Sequence, residues 1–460
     1  MPDKTKRKHC NILKVRDDHQ PVYFEEGSST GKFKLCDAFE AQWAGEEFSS
    51  KELRARIEPW LTSLFQSEHL SLLAGSGLTQ AVHYLAAGKS AANMEPIPFT
   101  IHHKDKIGAA AEQSAQEAGR EKGNLEDQLR VANELLRGLK ILQDDQAETL
   151  RSKLEEGMQG FAKSILKSET GIATAENDKR EQAFNTLVIF LMSFASRTGT
   201  RDRLNIFTTN YDRLIEAGAE LAGLHLLDRF LGNLMPIFRS SRLDLDMHYN
   251  PPGIRGEPRY LEGVARFSKL HGSVDWVQVG KDIRRIGLPF GAESTDPYLK
   301  APGLGDDVTA HQLMIYPNAA KDRETADYPY VELFRDLAAA VCRPNSTLVT
   351  YGYSFGDEHI NRVIRDMLTI PSTHLIVISY DDPLGRIMRI YKEMGRPSQI
   401  SLMIGPVLAD LSALTENYLP KAAIDKATFR MSELLKQRFG AEKVAKPTAT
   451  DVDTLDVSNL

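Results

Sequence analysis

The chain has few cysteines, and their positions exclude some kinds of metal-stabilised protein. Only three of the 460 residues are cysteine, namely Cys10, Cys36 and Cys342. They lie far apart in the sequence, and no Cys-x-x-Cys pair is present. A zinc site with four thiolates therefore cannot form within one chain, and disulfides are not expected. The sequence predicts no metal site.

Long hydrophobic runs and a targeting signal are also lacking. No apolar run approaches the ~18 residues that a membrane-spanning helix needs. The N-terminus is charged and lacks the apolar core and small-residue cleavage site of a signal peptide. The formal net charge of −6 gives no overall attraction to nucleic acid or to anionic membranes, although it does not exclude local basic patches. We therefore expect a cytoplasmic protein without a membrane partner.

The length suffices for two or three domains of about 150 residues each. Apolar runs alternate with segments of helical periodicity, which predicts an α/β fold with a Rossmann-like, mostly parallel sheet flanked by helices. The predicted segments are an N-terminal arm (1–35) with one short strand at 21–24, an α/β domain (36–103 and 198–440), an inserted helical subdomain (104–197) and a disordered acidic tail (441–460).

The stretch 204–216 indicates a buried strand that leads into a helix. Its apolar run ends at Asn210, and helical periodicity follows. In an open α/β sheet, ligands bind just past the carboxyl ends of the strands, so polar side chains here are candidates for a site. A plainer interpretation is that Asn210 is a turn residue and Asp212 caps the next helix.

A second strand end carries glycines. Gly75-Ser76-Gly77 follows the apolar run 69–74 and precedes a helix, an arrangement whose free N–H groups stabilise a phosphate. Any tight turn between a strand and a helix can use such a pair. The third glycine of the dinucleotide fingerprint is absent, so the motif does not indicate a dehydrogenase.

Three later strands also end in polar residues. The run 264–270 ends at His271, a residue that is more often structural than catalytic. The run 346–351 leads into a glycine-containing turn with Asp357 as a natural helix N-cap. The run 374–379 is followed by Asp381, a carboxylate that suits ribose hydroxyls or simply a solvated turn.

Taken in order, these strand ends resemble the sirtuin-like family. The motifs are Gly75-Ser76-Gly77, Thr208-Thr209-Asn210-Tyr211-Asp212, Leu270-His271-Gly272 and Gly352-Tyr353-Ser354-Phe355-Gly356-Asp357. The likeness covers about residues 68–406 and is strongest to the bacterial branch found in anti-phage defence systems.

The resemblance implies an NAD site. Asn210 would lie beside the nicotinamide ribose and His271 would be the catalytic histidine. The glycine turn would cradle the diphosphate, Ser354 would contact the diphosphate or a ribose, and Asp381 would lie near the adenosine. The implied NAD-binding residues are Gly75, Ser76, Gly77, Thr209, Asp212, Gly352, Ser354, Ser379 and Asp381.

Two departures from the family favour NAD hydrolysis over protein deacylation. The deacylase segment Gly-Ile-Pro-Asp-Phe-Arg is absent after the glycine turn, and so is the zinc module. The resemblance then implies an NAD glycohydrolase that depletes NAD in phage defence. Its implied partners are further copies of itself and a HerA-like hexameric ATPase, with nucleic acid reached through that complex.

Two other functions stay open. A nuclease or nucleic-acid-binding component would use basic clusters such as 239–242 and 281–285. A non-catalytic sensor of NAD or ADP-ribose would bind the same nucleotide without turnover.

Overall fold

The computed structural model describes the greater part of the chain. The described residues are 10–15, 18–36, 41, 43–45, 47–92, 103–117, 123, 125–197, 201–241, 246–249, 259–305, 308–309, 312–314 and 328–421. The predicted tail at 441–460 lies outside them. Within these ranges, an eleven-stranded sheet is flanked by helices, which confirms the α/β class.

The elements alternate along most of the chain. The strands are β1 (Asn11–Lys14), β2 (Val22–Glu26), β3 (Lys32–Leu35), β4 (Phe48–Ser49), β5 (His69–Ala74), β6 (Leu204–Thr208), β7 (His225–Leu227), β8 (Phe230–Leu231), β9 (Ile237–Phe238), β10 (His248–Tyr249), β11 (Arg259–Tyr260), β12 (Val264–Lys269), β13 (Trp276–Val279), β14 (Asp282–Arg285), β15 (Ser346–Tyr351), β16 (His374–Ser379) and β17 (Ile400–Ile404). The helices are α1 (Ser50–Phe65), α2 (Ser76–Ala87), α3 (Lys104–Glu117), α4 (Leu125–Leu142), α5 (Gln146–Ala173), α6 (Asn177–Ala195), α7 (Leu214–Ala222), α8 (Asp296–Leu299), α9 (Tyr330–Val341), α10 (Glu358–Leu368), α11 (Arg386–Met394), α12 (Pro406–Ala409) and α13 (Leu411–Asn417).

The main sheet has the strand order β4-β3-β2-β1-β17-β16-β15-β5-β6-β12-β7. All pairs from β17 to β7 are parallel, and β4 to β1 add an antiparallel edge. Central strands such as β6 and β15 are buried along their whole length, as expected for strands covered on both faces. The chain runs outward from β5 to β6 and β12, then crosses to β15 and runs outward again. The boundary between β5 and β15 is therefore the topological switch point, where open α/β sheets bind ligands.

The N-terminal segment differs from the predicted arm. Residues 11–14, 22–26 and 32–35 form β1 to β3 of the main sheet, and the strand predicted at 21–24 overlaps β2. The side chains of Leu13 and Phe24 are fully buried in the core. Strands of four or five residues are too short for a period of two to stand out in the sequence, so this edge was missed.

The helices of the segment 104–197 pack into two different hydrophobic clusters. Its helices α3 to α6 agree with the predicted helical periodicity. The last helix lies on the sheet, where Leu187 and Phe190 share a core with Leu70 and Ile206. The helices α4 and α5 instead build a second cluster around residues such as Leu154, together with the loop region after β12. None of the helices in the described ranges is both long and apolar enough to cross a membrane.

Candidate functional site

A cavity opens at the switch point, past the carboxyl ends of β5, β15 and β16. Its volume is about 580 Å³, within the ~300–1,000 Å³ range of small-molecule sites. The lining of this switch-point cavity includes Ser76, Gly77, Gly352, Ser354, Ser379, Asp381 and Arg386. Six of the predicted site residues therefore line one cavity.

Three glycines allow the turns after β5 and β15 to touch. A Cβ atom at position 75 would lie 2.4 Å from the carbonyl oxygen of Gly352, and one at position 77 would lie 2.5 Å from its Cα. The N–H of Gly77 donates to the carbonyl of Gly352 at 3.0 Å, and the N–H of Gly75 donates to the carbonyl of Tyr351 at 2.9 Å. Two of the three N–H groups predicted to cradle a diphosphate are thus already engaged.

Ser76 is the residue of this turn that is placed to meet a ligand. It is exposed, begins α2 and lines the switch-point cavity. The positive end of a helix dipole lies at such an N-terminus and favours a negatively charged group.

Asn210 is buried and ties the end of β6 to the glycine turn. Its side-chain nitrogen donates to the carbonyl of Gly75 at 2.9 Å and to the hydroxyl of Thr79 at 3.0 Å. Both amide hydrogens are used in this way, and its side-chain oxygen accepts no hydrogen bond from the residues described here. That oxygen is the part of Asn210 with capacity for a ligand or a water molecule.

Asp212 and Thr209 complete the end of β6. Asp212 accepts a hydrogen bond from Thr79 Oγ1 at 2.7 Å and from the N–H of Leu214 at 3.1 Å. The N-cap of α7 is Arg213, so Asp212 contacts the first turn from the position before the cap and is not the cap itself. The N–H of Thr209 donates to the carbonyl of Ala74 at 3.3 Å and continues the pairing with β5. Neither Thr209 nor Asp212 lines the switch-point cavity.

His271 is held by a carboxylate from a distant turn. Its Nε2 atom lies 2.9 Å from Asp357 Oδ2, and the two side chains are 15% and 5% exposed. The other carboxylate oxygen of Asp357 accepts a hydrogen bond from the N–H of His359 at 2.9 Å and caps α10. The sequence indicated the cap, but not the pairing with a histidine 86 positions earlier.

Neither Asn210 nor His271 lines the switch-point cavity. They follow the neighbouring strands β6 and β12, and the ring of Tyr211 lies 6.3 Å from that of His271. Asn210 contacts the glycine turn after β5, and His271 contacts the turn after β15. The two residues therefore flank the same pair of turns.

The segment after β16 contributes Asp381, Asp382 and Arg386 to the cavity wall. Ser379 donates from its hydroxyl to the carbonyl of Asp381 at 2.8 Å. Desolvation raises the pKa of Asp381, and the adjacent charge of Asp382 acts in the same direction. Arg386 lines the cavity and donates to the carbonyl of Ser354 at 3.4 Å.

Arg386 is a cavity residue that the sequence did not predict. Its guanidinium supplies a buried positive charge, since the residue is 9% exposed. Its place in the first turn of a helix shortly after a strand end is the only local signal for it.

Two buried ion pairs support the segment after Asn210. Arg213 contacts Glu169 of α5 and the carbonyls of Leu288 and Pro289. Burial raises the pKa of Glu169, and the charge of Arg213 opposes that rise. Lys269 at the end of β12 lies 3.0 Å from a carboxylate oxygen of Glu216.

Two arginines of the basic clusters, Arg239 and Arg285, are paired with carboxylates. Arg239 Nη1 lies 3.4 Å from Asp282 Oδ1. Arg285 contacts Asp228, and its guanidinium lies 4.2 Å from the centre of the Phe230 ring. Such pairing reduces the charge available to phosphates.

Part of the chain matches a known domain family. Residues 204–395 match the model of the SIR2-like domain. This range contains Asn210, His271, Gly352 and Asp381, whereas the glycine turn after β5 precedes it. No curated protein matches the chain. SIR2-like domains use NAD, and the match supports a sirtuin-like protein.

Proposed function

We propose that the protein is an NAD glycohydrolase, which cleaves NAD to nicotinamide and ADP-ribose. The observation that supports this most is the switch-point cavity with the His271–Asp357 pair beside it, in a region that matches the SIR2-like domain. The cavity combines a helix N-terminus and Arg386 for a diphosphate with Asp381 for a ribose hydroxyl.

The chemistry requires little acid catalysis. Cleavage of the bond between nicotinamide and ribose develops oxocarbenium-like charge on the sugar, as in glycoside hydrolysis. Nicotinamide is cationic in NAD and leaves as a neutral molecule, so no strong general acid is needed. The reaction is helped by groups that hold the ribose and the water in line and by a base that works near neutral pH.

His271 fits the role of the base. An ionised Asp357 accepts a hydrogen bond, so the Nε2–H of His271 donates to it and the lone pair lies on Nδ1. Nδ1 is then the atom that takes a proton from water or from a ribose hydroxyl. The side-chain oxygen of Asn210 fits the role of holding that hydroxyl or the water.

The biological setting is a proposal that rests on the sequence resemblance. We infer that the enzyme depletes NAD in anti-phage defence, as a homo-oligomer that works with a HerA-like hexameric ATPase. Nucleic acid would reach the enzyme through that complex. Such control has a simple purpose, because an NAD hydrolase that is always active would exhaust its host.

The test measures NAD loss and nicotinamide release by wild type and by His271→Ala, each alone and with a HerA-like ATPase. His225→Ala is the matched control, since His225 is an exposed histidine on β7. We expect turnover by wild type and His225→Ala and none by His271→Ala, with all three folded. Intact NAD in every sample, together with metal-dependent cutting of DNA, would replace this proposal by the nuclease function.

The same variants distinguish the hydrolase from a non-catalytic sensor of NAD or ADP-ribose. In that case NAD or ADP-ribose raises the unfolding temperature of the wild type, yet neither wild type nor His271→Ala releases nicotinamide.

A further inference from the structure

Two of the three cysteines meet at the antiparallel edge of the sheet. The side-chain sulfurs of Cys10 and Cys36 and a carboxylate oxygen of Glu25 all lie within 4.8 Å of one another. All three residues are half-buried. The two cysteines are far apart in the sequence, and the fold brings them together. It also brings them close to Glu25, which is adjacent to neither of them in the sequence.

The strand register explains why these three side chains share one face. Asn11 pairs with Phe24, so Cys10 lies opposite Glu25 across β1 and β2. The N–H of Cys36 donates to the carbonyl of Tyr23 at 2.9 Å, which places Cys36 just beyond β3 on the other side of β2. Because side chains alternate between faces, Phe24 points into the core, and its neighbour Glu25 lies on the opposite face with the two thiols.

The same register excludes a disulfide in this fold. The middle strand β2 separates the two cysteines, so their Cα atoms are at least two strand spacings apart, about 9.5 Å. A disulfide needs Cα atoms within about 7 Å. The thiols therefore face each other across Glu25 without being able to bond unless the backbone moves.

We propose that Cys10, Glu25 and Cys36 bind a thiophilic divalent cation of the zinc class, with water as the fourth ligand. Thiolate and carboxylate are ligands that zinc accepts, and with sulfur at about 2.3 Å a tetrahedral ion places two sulfurs about 3.8 Å apart. The sulfurs of Cys10 and Cys36 lie within 4.8 Å of each other, which is at most about 1 Å above that value. The Nζ atom of Lys34 lies 3.1 Å from a carboxylate oxygen of Glu25. The cation would replace this ammonium group as the partner of the Glu25 carboxylate.

The charges balance in the loaded site. Two thiolates and one carboxylate carry three negative charges, and the cation with the nearby Lys34 ammonium carries three positive ones. Binding releases the two thiol protons, so it weakens as the pH falls.

The site is connected to the switch-point cavity through Asn11 and the turn after β17. Asn11, the neighbour of Cys10, accepts a hydrogen bond from the N–H of Val407 at 3.1 Å and so holds the turn after β17. The chain that follows this turn contributes Asp410 and Leu411 to the cavity. A bound cation would link β1, β2 and β3 and steady this side of the cavity, outside the range that matches the SIR2-like domain.

The test titrates the full chain, freed of metal and kept reduced, with Zn²⁺ and Co²⁺. We expect one ion per chain and, with Co²⁺, the near-ultraviolet charge-transfer absorption of cobalt bound to thiolate. Cys10→Ser and Cys36→Ser remove a ligand and should weaken binding at least as much as the loss of an outer partner does, about 10–100-fold. Cys342→Ser is the matched control and should bind like wild type.

Alkylation keeps the test decisive if a serine variant fails to fold. Zn²⁺ should protect Cys10 and Cys36 of the wild type from iodoacetamide and leave the rate at Cys342 unchanged, and Glu25→Gln should reduce that protection. The proposal is wrong if wild type binds no stoichiometric Co²⁺, if Cys342→Ser loses the ion as well, or if Cys10 and Cys36 form a disulfide in the folded protein. None of these readouts depends on NAD hydrolysis.

Discussion

At the scale of single residues, the pairing of His271 with Asp357 is the contact on which the proposed chemistry depends most. A carboxylate on one ring nitrogen fixes the orientation of an imidazole and determines which nitrogen carries the lone pair. Asp357 is 5% exposed in its side chain, so water competes little for this hydrogen bond.

Asp357→Asn separates this role from helix capping. Asparagine caps helices about as well as aspartate, so the free energy of unfolding should change little. The amide cannot hold the imidazole as the carboxylate does, and we expect nicotinamide release to fall about 10–100-fold, the usual cost of losing an orienting partner. Steady-state kinetics and thermal unfolding measure the two effects. Unchanged turnover would show that Asp357 only caps α10.

At the scale of elements, the contact between the glycine turns is what allows β5 and β15 to end at one cavity. Gly77 and Gly352 approach so closely that any side chain at position 77 meets backbone, which cannot rotate away. If the neighbour at position 77 were a flexible side chain, it could move aside and the protein would tolerate the substitution.

Gly77→Ala should therefore separate the turns. We expect the free energy of unfolding to fall by about 1–3 kcal/mol, the typical cost of overpacking, and NAD binding to weaken. Gly160→Ala is the control, because Gly160 is exposed on α5 and a Cβ there has no neighbour within 4 Å. That change should stabilise the helix by up to about 1 kcal/mol. Equal effects of both substitutions in denaturant unfolding would contradict the argument.

A half-buried histidine makes the contact between α1 and the sheet sensitive to pH. Burial lowers the pKa of His374 to about 4, with the charge of Lys14 acting in the same direction. The ring contacts Ser401 at 2.8 Å, and Trp60 donates to the same hydroxyl at 3.0 Å.

The free energy of unfolding should fall as the pH drops from 6.5 to about 4. The unfolded chain binds a proton at His374 near pH 6.5 and the folded chain only near pH 4, so protonation favours unfolding between these values. The loss from this residue reaches about 3 kcal/mol at pH 4. Denaturant unfolding of wild type and His374→Gln from pH 7 to pH 4 measures it, and parallel curves for the two proteins would exclude His374 as the cause.

At the scale of the whole molecule, the helical segment is attached to the site by a buried ion pair. Glu169 of α5 reaches the segment that follows Asn210 through Arg213, and both side chains are almost fully buried. Removal of one partner from such a pair leaves an uncompensated buried charge.

Glu169→Gln should therefore cost about 3–5 kcal/mol of unfolding free energy and lower NAD turnover. The matched control is Glu156→Gln on the same helix, where an exposed pair with Lys153 at 2.8 Å contributes under about 1 kcal/mol. Calorimetry of both variants compares them. A small effect of Glu169→Gln would mean that Arg213 is satisfied by the backbone carbonyls alone.

Much of the central sheet could be predicted from the sequence, because the signals are local. The runs that form β5, β6, β12, β15 and β16 are stretches of five or six residues rich in apolar and β-branched residues, and each leads into glycine or a polar residue. These properties depend only on neighbouring positions. They predicted the α/β class, which the structure confirms. The resemblance to the sirtuin-like family then implied the six site residues that line the switch-point cavity.

Only the tertiary structure decided which of these ends meet. The crossover from β12 to β15 creates the switch point, and no local pattern encodes strand order. The same holds for His271 with Asp357, for Arg386 in the cavity wall and for Cys10 beside Cys36. These contacts join residues that are distant in the chain, so their geometry depends on register and packing. The sequence determined the side chains available at each strand end, and the fold determined which of them act together.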